Sequence, residues 1–269
     1  MEDHNGRSSS QSRDAKLTPD HDEPGDLAAG TSRRKRSRAL MIGAAGALVV
    51  IAVVMIAVSG RGSSAAGAGQ TAQDREINAL LAGIPQSGNA LGSPTAPVTL
   101  QYFVDLQCPT ARDFTLSSLP YVTRKWVRPG TVRIEFRSLR SVSEPVAFGT
   151  QQAAALAAGM QDKLWYFLEY FYHEQGPEHS GYVTESYLAS LARQTELDLA
   201  QWDEERATPE LAAQVAEDEQ LAHSTQLTGT PSFLVGPTGS APIYRMGESS
   251  SAGEVNYFVR QVLQSQKSS

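Results

Sequence analysis

Hydrophobic positions recur along the chain with three rhythms, and each rhythm predicts a different kind of element. The first is an unbroken run: Ala39 to Val58 (ALMIGAAGALVVIAVVMIAV) holds twenty residues without a charge. Coiled as a helix it reaches roughly 30 Å, the thickness of a bilayer's hydrocarbon core, which predicts a membrane-spanning helix over 39–58. The second rhythm is that of strands. Val98 to Val104 is a β-branched and aromatic run suited to a buried strand, and Thr131 to Leu139 (TVRIEFRSL) alternates with a period of two. Ser232 to Val235 (SFLV) and Ala241 to Met246 flank a turn sequence, Pro237-Thr-Gly-Ser240. The third rhythm is helical. It runs from Thr110 to about Val127 with Leu116, Leu119, Val122 and Trp126 on one side, until Pro129-Gly130 stops it. It returns over Glu144 to about Glu174 as one long or two short helices, from Thr184, over Pro209 to His223, and over Glu254 to Gln264. Asp74 to Ile84 has the makings of a short helix.

The order strand, helix, strand, helices, strand, strand, helix predicts a layered α/β domain. A βαβ unit stands in front, a helical insertion in the middle and a ββα unit behind. Trp165, Phe167, Leu168, Phe171 and Tyr172 recur at helical spacing within the insertion, and core packing explains them better than a substrate groove does.

Composition and charge set the surroundings of this domain. Residues 1–38 are rich in Ser, Asp, Gly, Arg and His and nearly free of large apolar side chains, which predicts a disordered tail. The cluster Ser32-Arg-Arg-Lys-Arg-Ser-Arg38 precedes the span and only Arg61 soon follows it. That asymmetry places the tail in the cytoplasm and the rest of the chain outside, in a single-pass cell-membrane topology. A cleaved signal peptide is the alternative, but its apolar region is usually shorter. Residues 59–82 form the expected flexible stalk, Gly60 to Gln73 being mostly Gly, Ala and Ser, and 83–269 the folded domain. Beyond Arg61 there are 14 basic and 22 acidic residues, a balance of −8, which argues against a nucleic-acid partner. The five histidines (His4, His21, His173, His179, His223) include no pair at metal-ligand spacing, so no metal is expected. No Walker loop, Rossmann fingerprint or serine elbow is present, and no cofactor is expected.

Cys108 is the only cysteine in 269 residues, so an intramolecular disulfide is excluded. It lies where the first strand gives way to a helix, with Pro109 at the first helical position. A sulfur there is expected to face unpaired backbone N–H groups and the positive end of the helix, which favours a reactive thiol. The bland alternative is a small buried hydrophobe. A second informative stretch is Gly229-Thr-Pro-Ser-Phe-Leu-Val-Gly236, where a proline stands just ahead of a strand.

Phe103-Val-Asp-Leu-Gln-Cys-Pro109 and Gly229-Thr-Pro-Ser-Phe233, with the helical insertion between them, resemble the DsbA-like branch of the thioredoxin-fold thiol oxidoreductases. Leu91-Gly-Ser-Pro-Thr-Ala-Pro-Val-Thr99 and Gln161-Asp-Lys-Leu-Trp165 extend the likeness over roughly Gly83 to Gln264. The resemblance implies a thioredoxin fold in which Cys108 is the attacking thiol and faces Pro231 across the site. It also implies a cis Thr230–Pro231 bond, with Pro109, Thr110, Thr230 and Pro231 contacting substrate. Ala111 stands where the family's Cys-x-x-Cys motif has its resolving cysteine, and Tyr102 where several relatives carry a buried glutamate.

A two-cysteine enzyme releases its mixed disulfide with the second thiol, a step this chain cannot complete alone. One reading is therefore a monothiol oxidoreductase acting on extracytoplasmic protein thiols or disulfides, resolved by a small-molecule thiol or a partner's cysteine. A second is a module that kept the peptide-binding surface and lost catalysis. A third is a peroxide-reactive thiol, for which the surrounding residues offer no typical arrangement.

Overall fold

Residues 71–248 and 251–268 are described by the computed structural model. The expected tail (1–38), span (39–58) and most of the stalk lie outside these residues. Among the described residues no helix is long and apolar enough to cross a membrane.

The first element is α1 (Ala72–Leu81). Thr71 and Asp74 cap it reciprocally, the Asp74 N–H donating to the Thr71 hydroxyl at 3.1 Å and the Thr71 N–H to the Asp74 carboxylate at 2.8 Å. Ile77, Leu80 and Leu81 enter the core. At the other end the Arg128 guanidinium donates to the carbonyls of Ala79, Leu80 and Ala82. The stretch expected to finish the flexible stalk at residue 82 is therefore part of the folded body from Thr71 onward. Capping at both ends and an apolar stripe supply the physical reason.

One six-stranded sheet organises the domain: β1 (Gln86–Ser87), β2 (Ala90–Leu91), β3 (Val98–Val104), β4 (Val132–Ser138), β5 (Ser232–Pro237) and β6 (Tyr244–Met246), in the spatial order β1-β2-β4-β3-β5-β6. β3 lies at the centre, parallel to β4 from Val98–Val132 to Val104–Ser138 and antiparallel to β5 from Val98–Pro237 to Phe103–Ser232. That register brings the end of β3, just before Cys108, against the start of β5, just after Pro231. β1 and β2 form a tiny hairpin across Gly88-Asn89, with Gly88 at a positive φ of 58°. Two-residue strands have no period to detect, so this hairpin carries no signal in the hydrophobic pattern. β6 is shorter than the expected Ala241–Met246, since Pro242 has no N–H to give a ladder.

After Cys108 come α2 (Pro109–Asp113) and α3 (Leu119–Val122), each followed by a wider π-helical turn, over Phe114–Ser118 and Thr123–Val127. Pro120 accounts for the first turn: it lacks an N–H and its ring crowds the carbonyl four residues back. The widened turns change which side chains face inward. Phe114, Leu119, Val122 and Val127 are buried, while Leu116 and Trp126, expected on the core stripe, are only half-buried.

The insertion consists of α4 (Pro145–Met160), α5 (Leu164–His173), α6 (Glu185–Gln194), α7 (Leu199–Glu205) and α8 (Pro209–Ser224). The 144–174 stretch is thus two helices, and α7 is a further short helix between α6 and α8. Trp165, Phe167, Leu168, Phe171 and Tyr172 are all fully buried, as core packing requires. α9 (Ala252–Lys267), capped by the Ser251 hydroxyl, lays Val255, Val259 and Val262 against the sheet side of the core. This is the α/β architecture with a helical insertion that the resemblance implied.

Candidate active site

Where β3 ends, the Asp105 carbonyl accepts the Cys108 N–H at 3.0 Å, closing a tight turn that delivers the cysteine to the start of α2. Cys108 takes the N-cap position with φ −70° and ψ 120°, yet its side chain makes no capping bond. The sulfur turns the other way and donates to the Thr230 carbonyl at 3.2 Å. The expectation that it faces the unpaired N–H groups of the helix is therefore corrected. Cys108 is 4% exposed and packs among apolar neighbours, while Pro109 and Thr110 beside it are exposed.

Across from the sulfur, the Thr230–Pro231 bond is cis. Pro231 is buried, and Thr230 is nearly so. The structure thus gathers Cys108, Thr230 and Pro231 at the junction of β3 and β5, with Pro109 and Thr110 on the outer surface.

Ala111 is fully buried on the first turn of α2. Its carbonyl accepts the hydroxyls of Tyr102 at 3.1 Å and Thr115 at 2.9 Å, and those two hydroxyls lie 2.8 Å apart. Tyr102 stacks on Phe233, with ring centres 5.0 Å apart and planes 6° from parallel. Burial pushes its hydroxyl well above the ordinary tyrosine range, so it serves as a neutral hydrogen-bonding group beneath the site.

Four residues that sequence reasoning missed also shape the site. The Asp105 carboxylate, fully buried, accepts from the backbone N–H groups of Ser141 (3.0 Å), Val142 (3.0 Å), Ser143 (2.9 Å) and Gln107 (3.1 Å). The Gln151 side-chain amide (2.9 Å) and the Ser143 hydroxyl complete its shell. The Ser141 hydroxyl lies 2.6 Å from that of Thr230. Gln175, just past α5, donates to the carbonyls of Leu106 at 2.7 Å and Cys108 at 3.3 Å. Glu248 lies over Gly229, where any Cβ would come within 2.0 Å of its carboxylate oxygen. Asp105 lay inside the quoted Phe103–Pro109 motif, and its position two residues before Gln107 was the available signal for a turn. Ser141, Gln175 and Glu248 carry no local signal.

What can this arrangement do? A sulfur at a strand-to-helix corner, with a neighbouring backbone carbonyl in a cis loop, suits attack on a disulfide presented along that loop. No second thiol exists to displace the product.

The family model described as Thioredoxin matches residues 86–241. A probable disulfide bond formation protein D of Bacillus anthracis is 24% identical over 148 residues, covering 54% of this chain and 68% of that protein. Disulfide bond formation protein D of Bacillus subtilis is 25% identical over 146 residues, covering 54% of this chain and 66% of that protein. Among solved structures, oxidised BdbD from Bacillus subtilis superposes with a TM-score of 0.57 at 21% identity, over 67% of this chain and 97% of that one. The alpha-DsbA1 of Wolbachia pipientis gives a TM-score of 0.56 at 15% identity, over 65% and 89% of the two chains. At these identities the structural likenesses speak to the fold.

Proposed function

The chain belongs to the DsbA-like thioredoxin-fold oxidoreductases, and from that premise we propose that it exchanges disulfides through one sulfur, Cys108. The observation that carries the proposal is the position of that sulfur, 3.2 Å from the Thr230 carbonyl beside a cis proline, with a buried methyl group at Ala111 where a second thiol would stand.

In the first step the Cys108 thiolate attacks one sulfur of a substrate disulfide. A bond forms between the two sulfurs as the substrate's S–S bond breaks, and the departing sulfur leaves as a thiolate that takes up a proton. Thr230 and Pro231 hold an extended substrate segment beside the sulfur, and Pro109 and Thr110 border it. In the second step an external thiol attacks the substrate's sulfur in the mixed disulfide and restores Cys108. If the external thiol is a small molecule or a partner's cysteine, it stays on the substrate as a new mixed disulfide; a second such thiol attacking its outer sulfur frees the substrate's cysteine, the two external thiols leave as a disulfide, and the substrate is reduced by two electrons. If it is another cysteine of the same substrate, the disulfide is rearranged without net electron transfer. The uncharged run at 39–58 anchors the domain on the extracytoplasmic side of the membrane, where its protein thiols and disulfides would be met.

A second reading, a peptide-binding module without exchange, draws on the low exposure of the sulfur. The experiment that separates the two incubates the full chain with a disulfide-bearing peptide and resolves the products without reductant. Wild-type protein is expected to form a covalent adduct that glutathione releases, and Cys108→Ser none. Peptide binding without any adduct in the wild type would sink the oxidoreductase reading and leave the module.

A further inference from the structure

We propose that Asp105 and Ser141 are positioning residues that hold the Thr230 carbonyl against the sulfur, which rests on reading Cys108 as the reacting thiol. Three chain segments meet at the Asp105 carboxyl group and its backbone. The Asp105 carbonyl accepts from the Cys108 N–H at 3.0 Å, and Oδ1 accepts from the Gln107 N–H at 3.1 Å, which sets the turn that carries the cysteine. Oδ2 accepts three successive N–H groups, those of Ser141, Val142 and Ser143, at 2.9–3.0 Å. Such a run of backbone donors wraps the segment after β4 around a single negative oxygen. Ser143 also reaches Oδ1 through its hydroxyl, and Gln151 braces both from α4.

The wrapped segment then touches the opposite side of the site. The Ser141 hydroxyl meets the Thr230 hydroxyl at 2.6 Å, and Thr230 accepts the sulfur's hydrogen on its carbonyl at 3.2 Å. The contacts close a ring from Asp105 to Cys108, to Thr230, to Ser141 and back to Asp105. Within that ring the Ser141 hydroxyl is the tie to the cis-proline loop that does not pass through the sulfur. Its removal unties the Thr230 side chain and loosens the loop whose carbonyl the sulfur meets. Asp105→Asn acts further upstream, because one oxygen becomes an NH2 group that faces donors and unseats the whole 141–143 segment.

The test measures the rate at which iodoacetamide alkylates Cys108 in the full chain at constant pH. Ser141→Ala is expected to speed alkylation about fivefold, the equivalent of one ordinary hydrogen bond. Ser141→Thr keeps the hydroxyl and should return the wild-type rate. Asp105→Asn should exceed Ser141→Ala if it folds. Arg128→Ala loosens the domain at α1, away from the sulfur, and should leave the rate unchanged. The proposal is overturned if Ser141→Ala reacts at the wild-type rate, or if Arg128→Ala speeds alkylation as much. Alkylation needs no disulfide exchange, so the expected rates together with an absent peptide adduct would refute the proposed reaction and leave the positioning intact. An adduct with unaltered alkylation rates would do the reverse.

Discussion

Asp105 and Glu169 are two carboxyl side chains of one domain, 0% and 3% exposed, and the fold treats them in opposite ways. Asp105, at the end of the central strand, is surrounded by donors from the backbone of 141–143, from Gln107, from Gln151 and from the Ser143 hydroxyl. Glu169, on α5 in the helical insertion, has an Oε1 with no partner. Burial, and secondarily the negative charge of Glu76, pushes its carboxyl up to about 8. The difference teaches where this fold spends its polar order. Donors surround the acid under the cysteine corner, and Glu169, comparably buried in the insertion, is left to keep its proton.

Replacing each acid is the most direct way to break the comparison. Asp105→Ala strands several buried donors at once and is expected to destabilise the domain by about 4 kcal/mol, read as a lower denaturant midpoint. A loss under about 1 kcal/mol would mean that water or neighbouring groups satisfy those donors as well as the carboxylate does.

The Glu169 substitution should act in the opposite sense. Its carboxyl releases its proton near 4.5 in an ordinary setting and near 8 in the folded chain, so the native state holds the extra proton between those values. Stability from this group is complete below about pH 4.5 and is lost as the pH rises toward about 8. Glu169→Gln removes that loss and should raise stability at pH 7 by about 3 kcal/mol, while flattening the slope across the interval. Thermal unfolding at several pH values checks it; an unchanged slope would mean that another group titrates there.

The smallest expected effect sharpens the comparison at the site itself. Tyr102→Phe deletes the hydroxyl that reaches the Ala111 carbonyl and the Thr115 hydroxyl while keeping the stack on Phe233. It should cost about 1 kcal/mol of stability and leave the alkylation rate of Cys108 alone. A changed rate would move Tyr102 from support beneath the site into the set that controls the sulfur.

Much of this architecture was legible in local patterns. The period of two over Thr131 to Leu139 matches β4, whose Val132, Ile134 and Phe136 point inward. The junction of strand and helix at Cys108 followed from a β-branched run and a proline at the first helical position. The aromatic stripe of α5 was recognised as core from its spacing. What escaped local reading has identifiable causes. Two wide turns, one of them set by Pro120, exchanged Leu116 and Trp126 for Phe114 and Val127 on the buried side, because a π turn shifts the helical period that the pattern assumes. The β1–β2 hairpin is too short to show a rhythm.

The sequence by itself determined the order of the elements, the corner on which the one cysteine sits, and the absence of a second thiol to finish a two-cysteine reaction. Only the tertiary structure decided where the sulfur points: to a carbonyl 122 residues away rather than to the N–H groups of its own helix. It also decided that a segment 36 residues downstream folds around Asp105. Periodicity and capping are properties of neighbouring residues, and a chain displays them in one dimension. Contacts between distant residues are set by the register of β3 against β4 and β5, which exists only once the sheet has formed.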